Sequence, residues 1–472
     1  MRRVPCWPNR TVVTAVSIAV LAGAVAAACR REPARPDVLL VTIDTLRADH
    51  CSTYGYGPET TPVMTALAKS GVLFRHAYAP SATTAPSHAS LLTGRHFRNL
   101  GVMKNGHGLA EPTETIGAVM ARQGYATAGF VSSFPLRSKF GFHQGFEFFD
   151  DEFLEEHASI GRRNGGITHD RIAEATVRRF SAWLDQRTDP RPLFAWVHFV
   201  DPHYPYRAPD QFDGGWPATT PVMIRKYDGE VRYADRQLGR LVERFEKSAR
   251  DDGALVIVTS DHGEGLGDHG WKSHGVNLYE EAVRIPLVAR WSGHLPAGKV
   301  VEPPVSLVDV APSILALIGL QPMTVDDGDD IFAKLDPDRR IFLQRRIFRT
   351  TEVRKKVVLG EMTAVVHRRS KYVTAPEENR HELYDLSADP FEMRNLLPQP
   401  DVVAAMTPAA PGPAADAAAD ATTAKRAAEA AEKGRRYQTE LEQWRAATPV
   451  PDNETRLDRE SLEALRALGY VD

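Results

Sequence analysis

Two short segments of the chain carry residue types that can bind a metal ion. The apolar run "DVLLVTID" ends at Asp44, and the run "GALVIVTSDH" ends at Asp261 and His262. Two carboxylates and one imidazole can together hold a divalent cation. One acidic residue after an apolar run is often a solvated loop carboxylate, but these three residues at matching places predict a metal site.

A threonine-rich segment, "SATTAPSHASLLTGR", could supply the reacting group. Pro86 suits the first turn of a helix, whose start offers backbone N–H groups to an anion. The hydroxyl of Thr84 precedes this helix, and a nearby metal ion would lower its pKa and make it a nucleophile. The alternative is that Thr83 and Thr84 only cap the helix, although one can do so while its neighbour reacts.

The elements that must position these residues follow from the hydrophobic pattern. Continuous apolar runs precede Asp44, Asp201 and Asp261, and such runs are typical of strands buried on both faces of a parallel sheet. Helical periodicity separates the runs, and the segment 227–248 is the clearest example. Its predicted buried face contains Val231, Ala234, Leu238, Leu241, Val242 and Phe245. This order predicts a doubly wound α/β fold, in which ligands bind beyond the carboxyl ends of the strands.

The chain also divides into segments of different character. Residues 1–29 combine a basic start, an apolar run and "AAAC", which predicts an export signal and resembles a lipoprotein box with Cys29 as the lipid-anchored residue. An uncleaved membrane anchor is the alternative. We therefore expect a lipoprotein of the periplasm or cell envelope. Four further segments follow: strands and helices in 36–337, short hairpins in 338–400, an Ala/Pro-rich low-complexity linker in 401–435 and a helical tail in 436–472.

Composition excludes one class of partner. The net charge is −3, with 58 basic and 61 acidic residues, so nothing indicates a nucleic-acid binder. The chain has only Cys6, Cys29 and Cys51, which leaves no disulfide after signal removal except a Cys29–Cys51 pair that we do not expect.

Six collinear motifs between Asp37 and Leu397 resemble the sulfatase family, a branch of the alkaline phosphatase superfamily. They are "VTIDTLRADHCSTYGY", "TAPSHASLLTGR", "HFVDPHYPY", "TSDHGEGLGDHG", "LYEEAVRIPLV" and "ELYDLSADPFEMRNLL". The resemblance implies a catalytic domain in 36–337 with a mostly parallel sheet between helices. It also implies a smaller antiparallel C-terminal subdomain and one divalent ion, which could be Ca²⁺, Mn²⁺, Mg²⁺ or Zn²⁺.

The departures from the family pattern concern the reacting residue and its neighbours. The family converts a Cys or Ser to formylglycine, but Thr84 stands there, and its Cβ methyl prevents formation of the aldehyde. His88 replaces the arginine of that motif, Thr45 the second aspartate of an Asp-Asp pair, and His262 an asparagine. A sulfate-binding Gly-Lys-Trp-His segment corresponds here to "GFVSSF".

These departures resemble phosphodiesterases and envelope phosphotransferases of the same superfamily, which use an unmodified threonine and an Asp-His metal pair. Water or an alcohol can release a phosphoryl-threonine by in-line attack. Three interpretations remain open from the sequence: a sulfatase-family hydrolase of sulfate or phosphate esters acting through Thr84, a phosphodiesterase or envelope phosphotransferase, and a non-catalytic lipoprotein that binds an anion. A single apolar segment disfavours the phosphotransferase.

The resemblance also assigns supporting residues. His203 and His274 match family positions that contact the ester or protonate the leaving group, which suits histidine near neutral pH. We expect His88 and Lys272 to bind the anionic substrate, and we class His198 and His269 as structural.

Overall fold

In the computed structural model, residues 35–153, 170–353, 356–397, 415–451 and 457–467 are described. The predicted export signal, with Cys29, lies outside these residues, as does the part of the low-complexity segment before Ala415. The predicted division into segments stays a prediction.

Strands and helices alternate along most of the chain. The strands are β1 Asp37–Ile43, β2 Val72–Phe74, β3 Ala77–Tyr78, β4 Ala126–Phe130, β5 Phe148–Asp150, β6 Leu193–Phe199, β7 Ala254–Ser260, β8 Arg284–Ile285, β9 Leu287–Trp291, β10 Lys299–Val301, β11 Val305–Ser306, β12 Arg340–Gln344, β13 Phe348–Val353, β14 Lys356–Gly360, β15 Thr363–His367, β16 Ser370–Ala375 and β17 Arg380–Asp385. The α-helices are α1 Pro62–Lys69, α2 Thr84–Thr93, α3 Phe97–Leu100, α4 Ile116–Arg122, α5 Ala173–Gln186, α6 Val222–Ser248, α7 Glu280–Val283, α8 Val310–Leu317, α9 Ala415–Ala447 and α10 Arg459–Ala467. Short 3-10 helices include Ala48–His50 and Asp268–Gly270.

The large sheet has the strand order β10-β2-β9-β7-β1-β6-β4-β5. Its central strand β1 pairs in parallel with both β6 and β7, and β9 is antiparallel to β7 and β2. Every residue of β1 and β6 is buried, because helices cover both faces of the sheet. The predicted mostly parallel α/β fold is confirmed.

The two faces of β1 point to different helices. Leu39, Val41 and Ile43 belong to a core cluster with residues of α1, α5 and α6, including the whole predicted face of α6. Thr42 points the opposite way, because side chains alternate along a strand, and its hydroxyl contacts His88 of α2. The helix α2 therefore lies on the face opposite to α6.

The carboxyl ends of three neighbouring strands meet at one edge of the sheet. In the β1 ladders, Thr42 stands opposite His198 of β6 and Ile43 stands opposite Ser260 of β7. The N–H of Asp44 continues the pairing by donating to the carbonyl of Phe199 at 2.9 Å. Parallel register thus brings the residues after β1 and β7 side by side.

The C-terminal part forms a second, antiparallel sheet with the order β12-β15-β16-β17, as predicted. Tyr437 and Leu441 of α9 pack against Val365 of β15 and Tyr372 of β16. The helix α9 spans Ala415–Ala447, and apolar residues of its second half are buried against this sheet. Within the described part of the chain, no helix combines the length and apolarity that a membrane span requires.

Candidate active site

Asp44, Asp261 and His262 meet at the carboxyl edge of the large sheet, and all three side chains are fully buried. His262 Nε2 lies 3.8 Å from Asp44 Oδ1 and 3.5 Å from Asp261 Oδ2. The structure therefore brings together the three residues that the sequence predicted as metal ligands.

Three of the four carboxylate oxygens of Asp44 and Asp261 have no hydrogen-bond donor among the described residues. Asp261 Oδ1 accepts the N–H groups of Thr45 at 3.2 Å and His262 at 2.9 Å. Asp261 Oδ2 and both carboxylate oxygens of Asp44 have no hydrogen-bond partner among the described residues. Burial, together with the charge of Asp261, raises the pKa of Asp44 well above its ordinary value. Unpaired buried carboxylates are costly, so the donor set fits a divalent cation.

Hydrogen bonds fix which ring nitrogen of His262 faces the cluster. His262 Nδ1 donates to the carbonyl of Gly263 at 2.8 Å, so Nε2 holds the lone pair and can bind a metal ion. His198 has the opposite arrangement, because its Nδ1 accepts the N–H of Ser132 at 3.3 Å. The proton of His198 then sits on Nε2, 3.7 Å from Asp44 Oδ2.

His198, which the sequence predicts to be structural, lies beside this cluster. It forms a second possible ligand group with His88 and Asp261. The proton on Nε2 leaves that nitrogen without a lone pair, so His198 lies beside Asp44 and is not itself a ligand in this arrangement. A histidine inside the strand β6 gives no local signal of this role.

Thr84 lies against the same cluster. It is the first residue of α2 and is fully buried, and its Oγ1 donates to His262 Nε2 at 3.3 Å. Thr83 occupies the N-cap position with an extended backbone, but its side chain makes no capping hydrogen bond. The alternative that Thr83 and Thr84 serve as helix caps therefore has no support in the contacts.

The start of α2 offers fewer N–H groups than predicted. The N–H of Ala85 donates to Asn105 Oδ1 at 2.8 Å, that of Ser87 donates to the carbonyl of Thr83 at 3.1 Å, and Pro86 has none. In this first turn, only the N–H of Thr84 lacks an acceptor among the described residues. An anion at this helix start would therefore be held by one backbone donor and by side chains.

Asn105 is a site residue that sequence reasoning missed. It is 2% exposed, and its Nδ2 has no hydrogen-bond partner within the described ranges. Its Oδ1 is fixed by Ala85, the neighbour of Thr84, so the amide group lies beside the proposed nucleophile. A loop asparagine without a motif around it could not be singled out from the sequence.

The two ring nitrogens of His88 both have partners within the protein. Its Nδ1 donates to the carbonyl of Thr84 at 2.9 Å, and its Nε2 accepts from Thr42 Oγ1 at 3.0 Å. The side chain is fully buried, so both ring nitrogens are used inside the protein. These contacts make His88 a residue that holds the start of α2, and they do not support a direct contact with substrate.

His203 and His274 lie next to the cluster. The ring of His274 is 4.5 Å from that of His262, and the ring of His203 is 5.2 Å from that of His274, between centroids. His274 Nδ1 donates to Glu264 Oε1 at 3.2 Å. Burial alone would raise the pKa of Glu264, but the charge and hydrogen bond of His274 lower it overall. Glu264, which the sequence did not mark, thus orients His274.

Lys272 and Asp201 lie outside the cluster of metal-ligand candidates. Lys272 is exposed on the loop before His274, and its substrate contact stays a prediction. Asp201, which ends another apolar run, accepts the N–H of Ala173 at the start of α5 at 2.7 Å.

Comparisons with known proteins agree with this architecture. The sequence model of the sulfatase family matches residues 36–320, more than half of the chain. The chain belongs to the sulfatase family. A second model, for the C-terminal part of N-sulphoglucosamine sulphohydrolase, matches residues 267–408. Membership of this family makes the protein a hydrolase of ester bonds.

Individual relatives are distant in sequence. An uncharacterized sulfatase of Escherichia coli K12 is 25% identical over 77% of this chain and 83% of its own length. The N-acetylglucosamine-6-O-sulfatase of Bacteroides thetaiotaomicron is 21% identical over 78% of this chain and 84% of its own length. The crystal structure of the phosphonate monoester hydrolase of Agrobacterium radiobacter matches with a TM-score of 0.63 and 22% identity, and covers 86% of this chain and 96% of that chain. The last comparison shows a shared fold.

Proposed function

We propose that this sulfatase-family protein is a metal-dependent hydrolase that transfers the phosphoryl or sulfuryl group of an anionic ester to Thr84 and then to water. The observation that carries the proposal is the 3.3 Å distance between Thr84 Oγ1 and His262 Nε2. This hydroxyl faces a site into which Asp44 and Asp261 direct unpaired carboxylate oxygens. A hydroxyl beside a metal ion at such a site can act as a nucleophile.

Asp44, Asp261 and His262 would hold the divalent cation. When bound, the cation lowers the pKa of an adjacent hydroxyl and offsets the negative charge of the ester. Because one donor is an imidazole, the set favours Mn²⁺ or Zn²⁺ over Ca²⁺. His198 Nε2 lies 3.7 Å from Asp44 Oδ2, and its proton would support this ligand.

The chain's own residues supply the remaining steps. Thr84 Oγ1 gives its proton to solvent and bonds to the phosphorus or sulfur atom while the bond from that atom to the ester oxygen breaks. The departing oxygen takes a proton from His274 or His203, and solvent then reprotonates that histidine. The N–H of Thr84 and the amide of Asn105 would donate to oxygens of the transferred group. Water then attacks the threonine ester, which releases the inorganic anion and restores the hydroxyl.

The nucleophile favours phosphorus over sulfur. A formylglycine hydrate can expel sulfate by reforming its aldehyde, but threonine cannot, and a sulfated Thr84 must wait for water. A phosphoryl-threonine is released by in-line attack. A phosphonate monoester hydrolase has the same fold, so this fold is compatible with hydrolysis at a phosphorus atom. Sulfate esters are the second candidate, because the named relatives include a sulfatase of a sulfated sugar.

A substrate panel with a metal titration tests the proposal. Aryl sulfate, phosphate monoester, phosphodiester and phosphonate monoester substrates are assayed with Mn²⁺, Zn²⁺ and Ca²⁺. We expect phosphorus-ester hydrolysis with Mn²⁺ or Zn²⁺, a loss of at least about 10³-fold in Thr84→Ala, and partial retention in Thr84→Ser.

Thr83→Ala is the matched control, since it removes the neighbouring hydroxyl and should leave hydrolysis unchanged. Turnover that survives in Thr84→Ala would show that Thr84 is not the nucleophile. Anion binding without any turnover would favour the non-catalytic alternative, and transfer to an added alcohol in preference to water would favour the phosphotransferase.

We also propose that residues 1–29 direct export to the cell envelope and that Cys29 carries a lipid. The support is the sequence pattern alone. Metabolic labelling with a radioactive fatty acid, followed by fractionation, tests it. Label that persists in Cys29→Ser would contradict the anchor.

A further inference from the structure

The loop after His262 carries His274, which the proposed mechanism uses, and Glu264, which orients His274. Its first residues are held by backbone hydrogen bonds to α7. The N–H of Gly263 donates to the carbonyl of Ala282 at 2.9 Å, and that of Glu264 to the carbonyl of Glu281 at 3.0 Å. A Cβ at Gly263 would lie 2.0 Å from the Glu281 carbonyl, so this approach requires glycine. We call residues 263–274 the catalytic loop.

His269 holds the other half of the catalytic loop. Its Nδ1 lies 3.0 Å from Glu281 Oε1, and its Nε2 lies 3.1 Å from the backbone carbonyl of Glu392. The ring stacks on Tyr279 with centroids 3.7 Å apart, and the side chain is 12% exposed. Both ring nitrogens therefore face acceptors. A neutral imidazole has one N–H, so only the imidazolium donates to both.

Glu392, whose carbonyl is one of these acceptors, is itself held by a buried ion pair with Lys371. Glu392 has a positive φ of 55°, and its carboxylate accepts the N–H of Glu280 at 2.6 Å. The same carboxylate pairs with Lys371 Nζ of β16 at 2.9 Å, and both side chains are fully buried. The contact of His269 with Glu392 thus joins the catalytic loop to the antiparallel C-terminal sheet.

The charges around His269 favour its protonated form. Glu281 faces it from α7 and the carboxylate of Glu392 from the C-terminal segment, and the pair of Glu392 with Lys371 lies beyond it. Its neighbour Asp268 is turned to Arg47 at 2.7 Å. On the Tyr279 side, Arg380 is 5.1 Å from the centre of that ring, and Tyr279 OH contacts Arg380 and Glu382.

These surroundings set the direction of the titration. Burial alone would lower the pKa of His269, but the hydrogen bond and charge of Glu281, with the Glu392 carbonyl and carboxylate, raise it overall. The two hydrogen bonds are therefore complete below the ordinary histidine pKa of about 6.5. One of them is lost as the pH rises through the raised value, because the neutral ring keeps a single N–H.

We propose that His269, as an imidazolium bridging Glu281 and the Glu392 carbonyl, is a positioning residue that holds the catalytic loop, and that its deprotonation releases the loop and lowers kcat. The catalytic consequence rests on the proposed function, whereas the bridge and its release do not. The C-terminal sheet thereby contributes to hydrolysis without contacting the substrate.

Three variants separate this role from general stability. His269→Arg keeps a donor for each acceptor at every pH, so we expect the alkaline decrease of kcat to disappear or to move upward by at least one pH unit. His269→Gln has one donor group, and we expect a low kcat with no such decrease. Glu281→Gln removes the charge that raises the pKa of His269, so the decrease should move to lower pH by about one unit.

His294→Gln is the matched control. His294 also stacks on an aromatic ring, Trp291, with centroids 3.9 Å apart, but it is exposed on the turn after β9. We expect its pH profile to equal that of the wild type. Unchanged profiles in both His269→Arg and Glu281→Gln would overturn the proposal.

Two measurements on the wild-type protein do not require activity. An NMR titration should show His269 doubly protonated at pH 6, and hydrogen exchange of the catalytic loop should accelerate as His269 loses its proton. A neutral His269 at pH 6, or exchange that does not follow its titration, would contradict the bridge. If the NMR and exchange results hold but no substrate is turned over, the proposed function fails and the bridge stands.

Discussion

Two groups of buried charge in this protein differ in whether the chain supplies the opposite charge. Lys371 lies between Glu280 and Glu392, at 3.1 and 2.9 Å, with its ammonium fully buried. Burial alone would lower the pKa of Lys371, but the two carboxylates raise it. Asp44 and Asp261 are equally buried, yet three of their four carboxylate oxygens have no partner among the described residues.

The difference indicates what each group is for. A buried ion pair whose members satisfy each other can hold two parts of a structure together. Buried acids without a cation of their own cost free energy in the folded protein, and a bound divalent ion offsets this cost. The first group joins the C-terminal segment to α7, and the second is suited to chemistry.

The largest expected effect concerns Asp44. In Asp44→Asn, kcat/KM should fall by at least about 10³-fold, because the cation that stabilises the transition state loses a charged ligand. Without added metal, the melting temperature should be no lower than that of the wild type, since an unpaired buried charge is removed. Thermal unfolding with and without Mn²⁺ checks this. If metal-free Asp44→Asn melts clearly below the metal-free wild type, Asp44 is not an unpaired charge that destabilises the protein, and the difference between the two buried groups is lost.

Lys371→Met should act in the opposite way. It leaves Glu280 and Glu392 buried without their cation, so we expect the free energy of unfolding to fall by about 3–5 kcal/mol. Urea denaturation measures this change. The double variant with Glu392→Gln should recover part of the loss, and a loss below about 1 kcal/mol for Lys371→Met would mean that the ion pair does not hold the segment.

His198 tests whether support of a ligand matters. In His198→Leu, Asp44 loses the nearby N–H, and we expect metal affinity to weaken by about 10–100-fold. His198→Gln retains a donor and should bind metal better than His198→Leu. Isothermal titration with Mn²⁺ distinguishes them, with His294→Gln as the control. Equal affinities in all four proteins would show that His198 is only structural, as the sequence suggested.

The smallest effect concerns an ion pair nearer the surface. Asp49 accepts from Arg47 through both oxygens, at 2.9 and 2.7 Å. Burial would raise the pKa of Asp49, but the charge of Arg47 lowers it below its ordinary value. The pair therefore stabilises the fold above the ordinary pKa of about 3.9, and this stabilisation is lost as the pH falls through the lowered value.

Asp49→Asn should accordingly lower the free energy of unfolding by about 1 kcal/mol at pH 7. Denaturation at pH 7 and at the lowest pH where both proteins fold measures the difference. We expect the difference in free energy of unfolding between the two proteins to become smaller in acid. A difference that becomes larger in acid would contradict a stabilising Arg47–Asp49 ion pair.

The sequence was sufficient where a residue's place follows from strand order. Asp44 and Asp261 end apolar runs, and in a parallel sheet such ends share one edge, so their meeting could be predicted. Thr84 could be placed with them because Pro86 marks the start of a helix. The antiparallel C-terminal sheet could likewise be predicted from its short hairpin patterns.

The sequence was insufficient where the hydrogen-bond partners are distant in the chain. His88 was expected to bind substrate, but the carbonyl of Thr84 and the hydroxyl of Thr42 occupy its ring nitrogens. His198 was expected to be structural, but the register of β6 against β1 places it beside Asp44. Asn105 carried no signal at all.

The sequence by itself determined the fold, the family, the pair of acidic strand ends and the threonine at the position where the family forms formylglycine. These are matters of residue type and spacing, which the chain carries locally. Tertiary structure alone decided which histidine nitrogen holds a lone pair, which buried acid has a partner and which loop is joined to the C-terminal sheet. Each of these depends on atoms within about 4 Å of one another that come from distant parts of the chain, and residue order does not encode such proximity directly.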